Sequence, residues 1–203
     1  MSERTEPRPR PTAVFLDRDG TLITETGYLT DPRGFEFVPG AVDALRRLNE
    51  AEIPVALVTN QSAVARGWLT EERLEAIHAA LRDRLAHAGA RLDEILYCPH
   101  HPTEGPDGAA GPFTGPCECR KPLPGMLTEA AQRFGVDLRQ AVTIGDSDRD
   151  LRAGESAGVR AILVLTGKGA RERETSQARL GDTLEVVADL AAAVDRLLGS
   201  DPD

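Results

Sequence analysis

A doubly wound parallel α/β sheet is the fold this sequence predicts, and three observations predict it. Short apolar runs of strand length alternate with longer segments whose apolar residues recur at helical spacing. The runs are apolar throughout, as strands covered on both faces are. Three of them stop at oxygen-rich segments, Asp17-Arg18-Asp19-Gly20-Thr21, Thr59-Asn60-Gln61-Ser62 and Gly145-Asp146-Ser147-Asp148-Arg149-Asp150. In such a sheet ligands gather at the carboxyl ends of the strands, so these segments are expected to meet.

The first strand is Ala13-Val14-Phe15-Leu16, bounded by proline upstream and a turn-forming Asp-Gly pair downstream. Pro39 to Glu52 reads as a helix entered through Pro-Gly, with Ala41, Val42, Leu45 and Leu48 on one face. Strand 53–58 follows, and Thr70-Glu71-Glu72-Arg73 opens a helix to about residue 88 with Leu74, Ile77, Leu81 and Leu85 inward. Ile95-Leu96-Tyr97 is a third strand. Then come a helix over 125–134, a strand over 141–144, a helix over 148–157, a strand over 160–165 and a final helix over 189–198. Gly167-Lys168-Gly169 lacks the other features of a phosphate-binding loop and reads as a turn after the last core strand, and the charged stretch 170–181 as mobile. His78 and His87 have no partner at ligand spacing and read as surface or interface histidines, and Trp68 as a loop-packing residue.

With 203 residues, 40% hydrophobic and 28% charged, the chain suits one domain over 12–203, with no large cap domain, after a disordered tail over 1–11. That tail is broken by prolines and lacks the apolar stretch of a signal peptide. A net charge of −9 argues against nucleic-acid or anionic-membrane partners. No apolar run reaches membrane-spanning length. A cytoplasmic monomer is expected.

Extended backbone would put Asp17 and Asp19 on one side with Arg18 directed away. Two anions so close call for a shared proton or a cation. Mg²⁺ is such a cation, a hard ion that takes one or two carboxylates and fills its remaining positions with water and phosphate oxygens. Asp17 is then the candidate nucleophile, and Asp19 the general acid that becomes the base for hydrolysis. Alone, Asp-x-Asp-Gly-Thr fits a solvated turn or a calcium loop equally well. Thr59 is the candidate phosphate-positioning hydroxyl, and a capping role is compatible with that. Asp146, first after its strand, is the next metal ligand, whereas Asp148 and Asp150 read equally as first-turn dipole stabilisers.

All three cysteines fall within 22 positions, as Cys98-x-His100, sixteen intervening residues, then Cys117-x-Cys119. Three thiolates and one imidazole make a closed tetrahedral zinc site, structural rather than catalytic. Residues 99–124 hold few apolar side chains, and a metal can order a loop that has no core of its own. Spacing does not separate His100 from His101. The zinc loop, about 98–121, runs directly into Arg120 and Lys121 and so would bring two cations to the pocket.

Taken in order, these segments resemble the haloacid dehalogenase superfamily of phosphatases: Asp-x-Asp-Gly-Thr, a strand-end Thr, a Lys, then Gly-Asp-x-x-x-Asp. The resemblance makes Lys121 the lysine that neutralises the transferring phosphoryl group. It narrows on Gly27-Tyr28, Thr59 to Gly67, Cys98-Pro99-His100-His101-Pro102, Cys119-Arg120-Lys121-Pro122 and Gly145-Asp146, running from about Ala13 to Gly169. Over that span the chain is similar to the heptose bisphosphate phosphatases, whose sister branch is the histidinol-phosphate phosphatases. The resemblance implies Mg²⁺ on Asp17, Asp19 and Asp146, and Zn²⁺ on Cys98, His100, Cys117 and Cys119, with His100 preferred over His101. It implies that Glu25, Thr26, Gly27, Tyr28, Thr59, Asn60, Gln61, Ser62, Arg120 and Lys121 face substrate. The implied reaction is hydrolysis of the 7-phosphate of a heptose 1,7-bisphosphate through an aspartyl-phosphate. Histidinol phosphate is the alternative substrate, and a catalytically silent phosphosugar-binding protein the alternative of another class. Two departures bear on the sugar rather than the chemistry: Ser147 stands where the heptose branch often has Lys, and the zinc loop carries a Gly/Pro-rich insertion.

Overall fold

Period-two alternation in each strand sorts the apolar side chains to two faces, and helices cover both. The computed structural model describes residues 9–102 and 111–199. Its parallel strands are β1 (Val14–Leu16), β2 (Val55–Asn60), β3 (Glu94–Cys98), β4 (Val142–Gly145), β5 (Arg160–Val164) and β6 (Glu185–Val187). Helices α1 (Ala41–Glu50), α2 (Glu71–His87), α3 (Gly125–Phe134), α4 (Asp148–Ala157), α5 (Gly169–Leu180) and α6 (Leu190–Leu198) complete the fold. Val14, Leu16, Val55, Leu57, Val142 and Ile144 pack with α1, α2 and α6 on one face. Ala13, Phe15, Ala56, Val58 and Leu96 pack with α3 and Ala153 of α4 on the other.

The strand order is β3-β2-β1-β4-β5-β6. The chain therefore builds outward from β1 through β2 to β3, then crosses to the other side of β1 to lay down β4. That reversal opens a crevice beyond the carboxyl ends of β1 and β4, with Leu16 in register with Ile144. The short loops leading into the helices are capped locally, as where the Thr70 side chain accepts from the Arg73 N–H at 3.2 Å.

Several expectations need correction. Residues 170–181, read as a mobile stretch, are largely helical: most of them form α5, which buries only Gly169 and Ser176 and so carries almost no apolar periodicity to read. It is tied down instead by Arg179, which pairs with Asp148 and Glu155 of α4. Strand 160–165 is not the last, because the three-residue β6 pairs with β5 and is too short to announce itself. His78 is not a surface residue but is 1% exposed, its ring 5.5 Å from that of Tyr97. His87 is exposed, as expected. The tail over 1–8 and positions 103–110 of the zinc-loop insertion lie outside the described residues, and Pro11, within the expected tail, is buried. Among the described residues, no helix is long and apolar enough to cross a membrane.

Candidate active site

Asp17 is the first residue past β1 and Asp146 the first past β4, and the Asp17 N–H donates to the Ile144 carbonyl at 2.9 Å. Asp150 lies in the first turn of α4, its Oδ2 accepting from the Ser147 N–H at 3.1 Å and hydroxyl at 2.8 Å. One oxygen from each of these three buried carboxylates lies within 4.8 Å of the others. Asp150 thus belongs to the cluster, an assignment its position in a helix's acidic first turn leaves undecided. Two glycines make room for Asp146. A Cβ on Gly20 would meet Asp146 Oδ2 at 2.0 Å and one on Gly167 at 2.2 Å, and both residues hold a positive φ.

Lys121 reaches this cluster from a loop 61 residues away from its anchor. Asn60, at the end of β2, donates to the Lys121 carbonyl at 2.9 Å and accepts from the Lys121 N–H at 3.1 Å. The buried ammonium then donates to Asp17 Oδ1 at 2.6 Å and the Val58 carbonyl at 2.7 Å, and pairs with Asp150 Oδ1 at 2.5 Å. Burial opposes its charge, but Asp150 and Asp17 more than offset that and hold it above the usual lysine value.

One ammonium does not balance three buried carboxylates. Burial pushes Asp17 up to about 8 against the pull of Lys121, and pushes Asp146 up to about 6 against the donating Lys168 N–H. A divalent ion among these hard oxygens would restore the balance, and the donor chemistry suits Mg²⁺. In magnesium-free buffer Asp17 and Asp146 keep protons when folded that the unfolded chain releases near the usual 3.8. Their contribution to stability is therefore full below about pH 4 and is lost as pH rises through about 6 and about 8. The gain in Tm on adding Mg²⁺ should accordingly grow between about pH 5 and about pH 8, and a gain independent of pH would contradict this account.

Asp19 departs from expectation. Its carboxylate is not in the three-acid cluster, and Arg18 is not directed away. The chain curls after Asp17, with the Leu22 and Ile23 N–H groups both donating to the Arg18 carbonyl, so strand alternation no longer applies. Arg18 Nη2 donates to Asp19 Oδ2 at 2.9 Å. Gln61, expected to face substrate, donates to Asp19 Oδ2 at 3.1 Å and Thr59 Oγ1 at 2.8 Å.

Asp17, Asp19, Lys121, Asp146 and Asp150 line a cavity of about 280 Å³. Every expected substrate-facing residue lines it except Thr26. Lys168 and Arg149 also line it and were not anticipated. Lys168 lies in the loop between β5 and α5, past the rule that finds Asp17 and Asp146 as first residues after their strands; its ammonium pairs with Glu25. Arg149 sits inside the acidic segment after β4, where its charge is masked in the sequence by three aspartates.

The second donor cluster is Cys98, His100, Cys117 and Cys119. Cys98 Sγ lies 3.7 Å from Cys117 Sγ and 3.7 Å from His100 Nδ1, and Cys119 Sγ lies 3.4 Å from that nitrogen. Tetrahedral zinc with ordinary Zn–S and Zn–N bonds sets donors about 3.5–3.8 Å apart, so the four atoms fit the ion. The fold separates the two histidines: His101 Nε2 lies 2.9 Å from Arg66 Nη2, outside the cluster. Burial raises the Cys98 and Cys119 thiols, a cost that a bound cation would offset.

A doubly wound sheet with a lysine-served carboxylate cluster at its switch point defines the class, a phosphoric monoester hydrolase. The sequence profile of the haloacid dehalogenase-like hydrolases matches residues 14–86, and one described as HAD-hydrolase-like matches 118–193. The chain is 40% identical over 183 residues to the D-glycero-beta-D-manno-heptose-1,7-bisphosphate 7-phosphatase of Yersinia pestis, covering 90% of this chain and 94% of that one. It is 38% identical over 185 residues to the enzyme of the same name in Escherichia coli K12, covering 91% and 94%. The crystal structure of the D,D-heptose 1,7-bisphosphate phosphatase of Bordetella bronchiseptica, complexed with magnesium and phosphate, superposes with a TM-score of 0.78. That match has 38% identity and covers 92% of this chain and 98% of that one. The chain belongs to the haloacid dehalogenase-like hydrolases, in the family of heptose bisphosphate phosphatases.

Proposed function

We propose that this protein removes the 7-phosphate of D-glycero-β-D-manno-heptose 1,7-bisphosphate. Family membership supports the reaction, and the observation that carries the substrate is that two of the four basic residues lining the pocket, Arg120 and Arg149, make no ion pair with an acid among the described residues. Lys121 is committed to Asp17 and Asp150, and Lys168 to Glu25. Arg120 donates to the His100 carbonyl at 2.9 Å, and Arg149 has no hydrogen bond or acid partner among the described residues. Burial lowers Arg120 below the usual arginine value, and the positive charge of Arg149 works in the same direction. Two guanidinium groups in one pocket, close enough for one to feel the other's charge and free of acid partners, suit a second phosphate.

Asp17, Asp146 and Asp150 would hold Mg²⁺, which when bound would neutralise the charge gathering on the transferred phosphoryl group. Asp17 attacks phosphorus and the bond to the sugar oxygen breaks, while Asp19 gives its proton to that oxygen. Asp19 then takes a proton from water, whose oxygen displaces Asp17 from phosphorus. Lys121 balances Asp17 throughout. Thr59 lies within the same pocket wall as the phosphate-positioning hydroxyl. Zn²⁺ on the four-donor cluster would order the loop that delivers Arg120 and Lys121. We read the chain as a single domain from residue 12, a monomer in the cytoplasm, where thiols stay reduced for zinc.

The test is phosphate release in Mg²⁺ from the heptose bisphosphate and from histidinol phosphate, measured side by side. A preference for the bisphosphate of about 100-fold or more, roughly 2.7 kcal/mol, is expected, and a preference for histidinol phosphate would overturn the substrate. Arg149→Gln should raise KM for the bisphosphate about tenfold and leave KM for a sugar monophosphate unchanged. Equal effects on both would detach Arg149 from the second phosphate.

A further inference from the structure

We propose that Arg18 is a positioning residue which, together with Gln61, fixes the carboxyl group of Asp19 for proton transfer; this rests on the reading of Asp19 as the proton donor. Arg18 is 1% exposed and is among the largest fully buried side chains. Its Nε donates to Asp19 Oδ1 at 3.2 Å, and its Nη2 to Oδ1 at 3.0 Å and Oδ2 at 2.9 Å. The same Nη2 donates to Gln61 Oε1 at 3.0 Å. Gln61 Nε2 closes the ring by donating to Asp19 Oδ2 and to Thr59 Oγ1. Asp19 is thereby held from two sides, and the phosphate-positioning threonine is held by the same amide.

A buried guanidinium is costly, and a residue serving packing alone would be apolar. Here the fork geometry is used: two nitrogens of one plane meet one carboxylate, which a lysine cannot reproduce. Arg18 gains little else from its surroundings. Its Nη1 is buried without a hydrogen-bond partner among the described residues, as is Nε2 of nearby His78. Burial and the charge of Arg18 push His78 down to about 3, so the imidazole offers the guanidinium a neutral neighbour and not a second cation. The forked hydrogen bonds to the Asp19 carboxyl group and the contact to the amide of Gln61 are what the arginine has, and both fix the orientation of the group assigned to proton transfer.

The consequence concerns the leaving group. A sugar alkoxide needs a proton as its bond to phosphorus breaks, and p-nitrophenolate does not. Single-turnover phosphoryl transfer from the heptose bisphosphate should fall about 10- to 100-fold in Arg18→Lys and Arg18→Met, with KM within about threefold. Transfer from p-nitrophenyl phosphate should fall less than about threefold in the same variants. Asp19→Asn, as the benchmark, should show the same leaving-group dependence more strongly; if it does not, the reading of Asp19 fails and not merely that of Arg18. If Asp19→Asn shows it and the Arg18 variants lose both substrates equally, or neither, the positioning role is overturned. Should neither of these variants fold, Arg18→Gln, which keeps one donor toward Asp19, decides by the same comparison: a selective loss on the bisphosphate supports the clamp, and equal losses on both substrates overturn it.

Discussion

Asp17→Asn should abolish turnover, by about 10³-fold or more, which is roughly 4 kcal/mol of transition-state stabilisation, while the protein stays folded. The amide is a poor nucleophile and cannot form the aspartyl-phosphate. Folding should survive because the backbone contact that sets the residue, its N–H to the Ile144 carbonyl, does not involve the side chain. The substitution also removes a carboxyl that burial pushes up to about 8, so metal-free stability at neutral pH should be equal or higher. Lys121 keeps Asp150 and the Val58 carbonyl. Circular dichroism, Tm and phosphate release together check this. Wild-type turnover in a folded variant would remove Asp17 as nucleophile.

Loss of zinc should be the largest effect on stability. The purified protein should carry about one equivalent of zinc, as a four-donor site requires. Cys119→Ser should lose it, lower Tm, and reduce kcat about 10- to 100-fold, the range seen when groups that support a site rather than react in it are removed. The reduction should be partial, because Asn60 holds the Lys121 backbone through two hydrogen bonds independent of the metal. Among the described residues Arg120 has no anchor outside the donor cluster: its contacts are to the carbonyl of His100 and the side chain of Cys98, both in that cluster. KM for the bisphosphate should therefore rise in Cys119→Ser, beyond the fall in kcat. Zinc-free protein of unchanged Tm and activity would withdraw the metal from the loop.

Much of the fold was legible because strands buried on both faces leave unmistakable runs, such as Ala13 to Leu16 and Ile53 to Val58. What escaped was weakly patterned for a physical reason. Helix α5 is polar nearly all round and rests on ion pairs, and β6 is three residues that exist as a strand by pairing with β5. His78 was misread because one histidine on a helix face says nothing of what the sheet places against it.

In the site, strand ends and residue types by themselves determined the chemistry: Asp17 and Asp146 at neighbouring strand ends, and four soft donors in close pairs. Local spacing works there because the ends of adjacent parallel strands are adjacent in space. Tertiary structure alone decided the rest. It chose His100 over His101, brought Asp150 into the acid cluster, and set Lys121 between two carboxylates. It also turned Arg18 back onto Asp19. Each of these depends on where a chain curls after its strand ends, or on partners tens of residues away, and periodicity along the sequence carries no information about either.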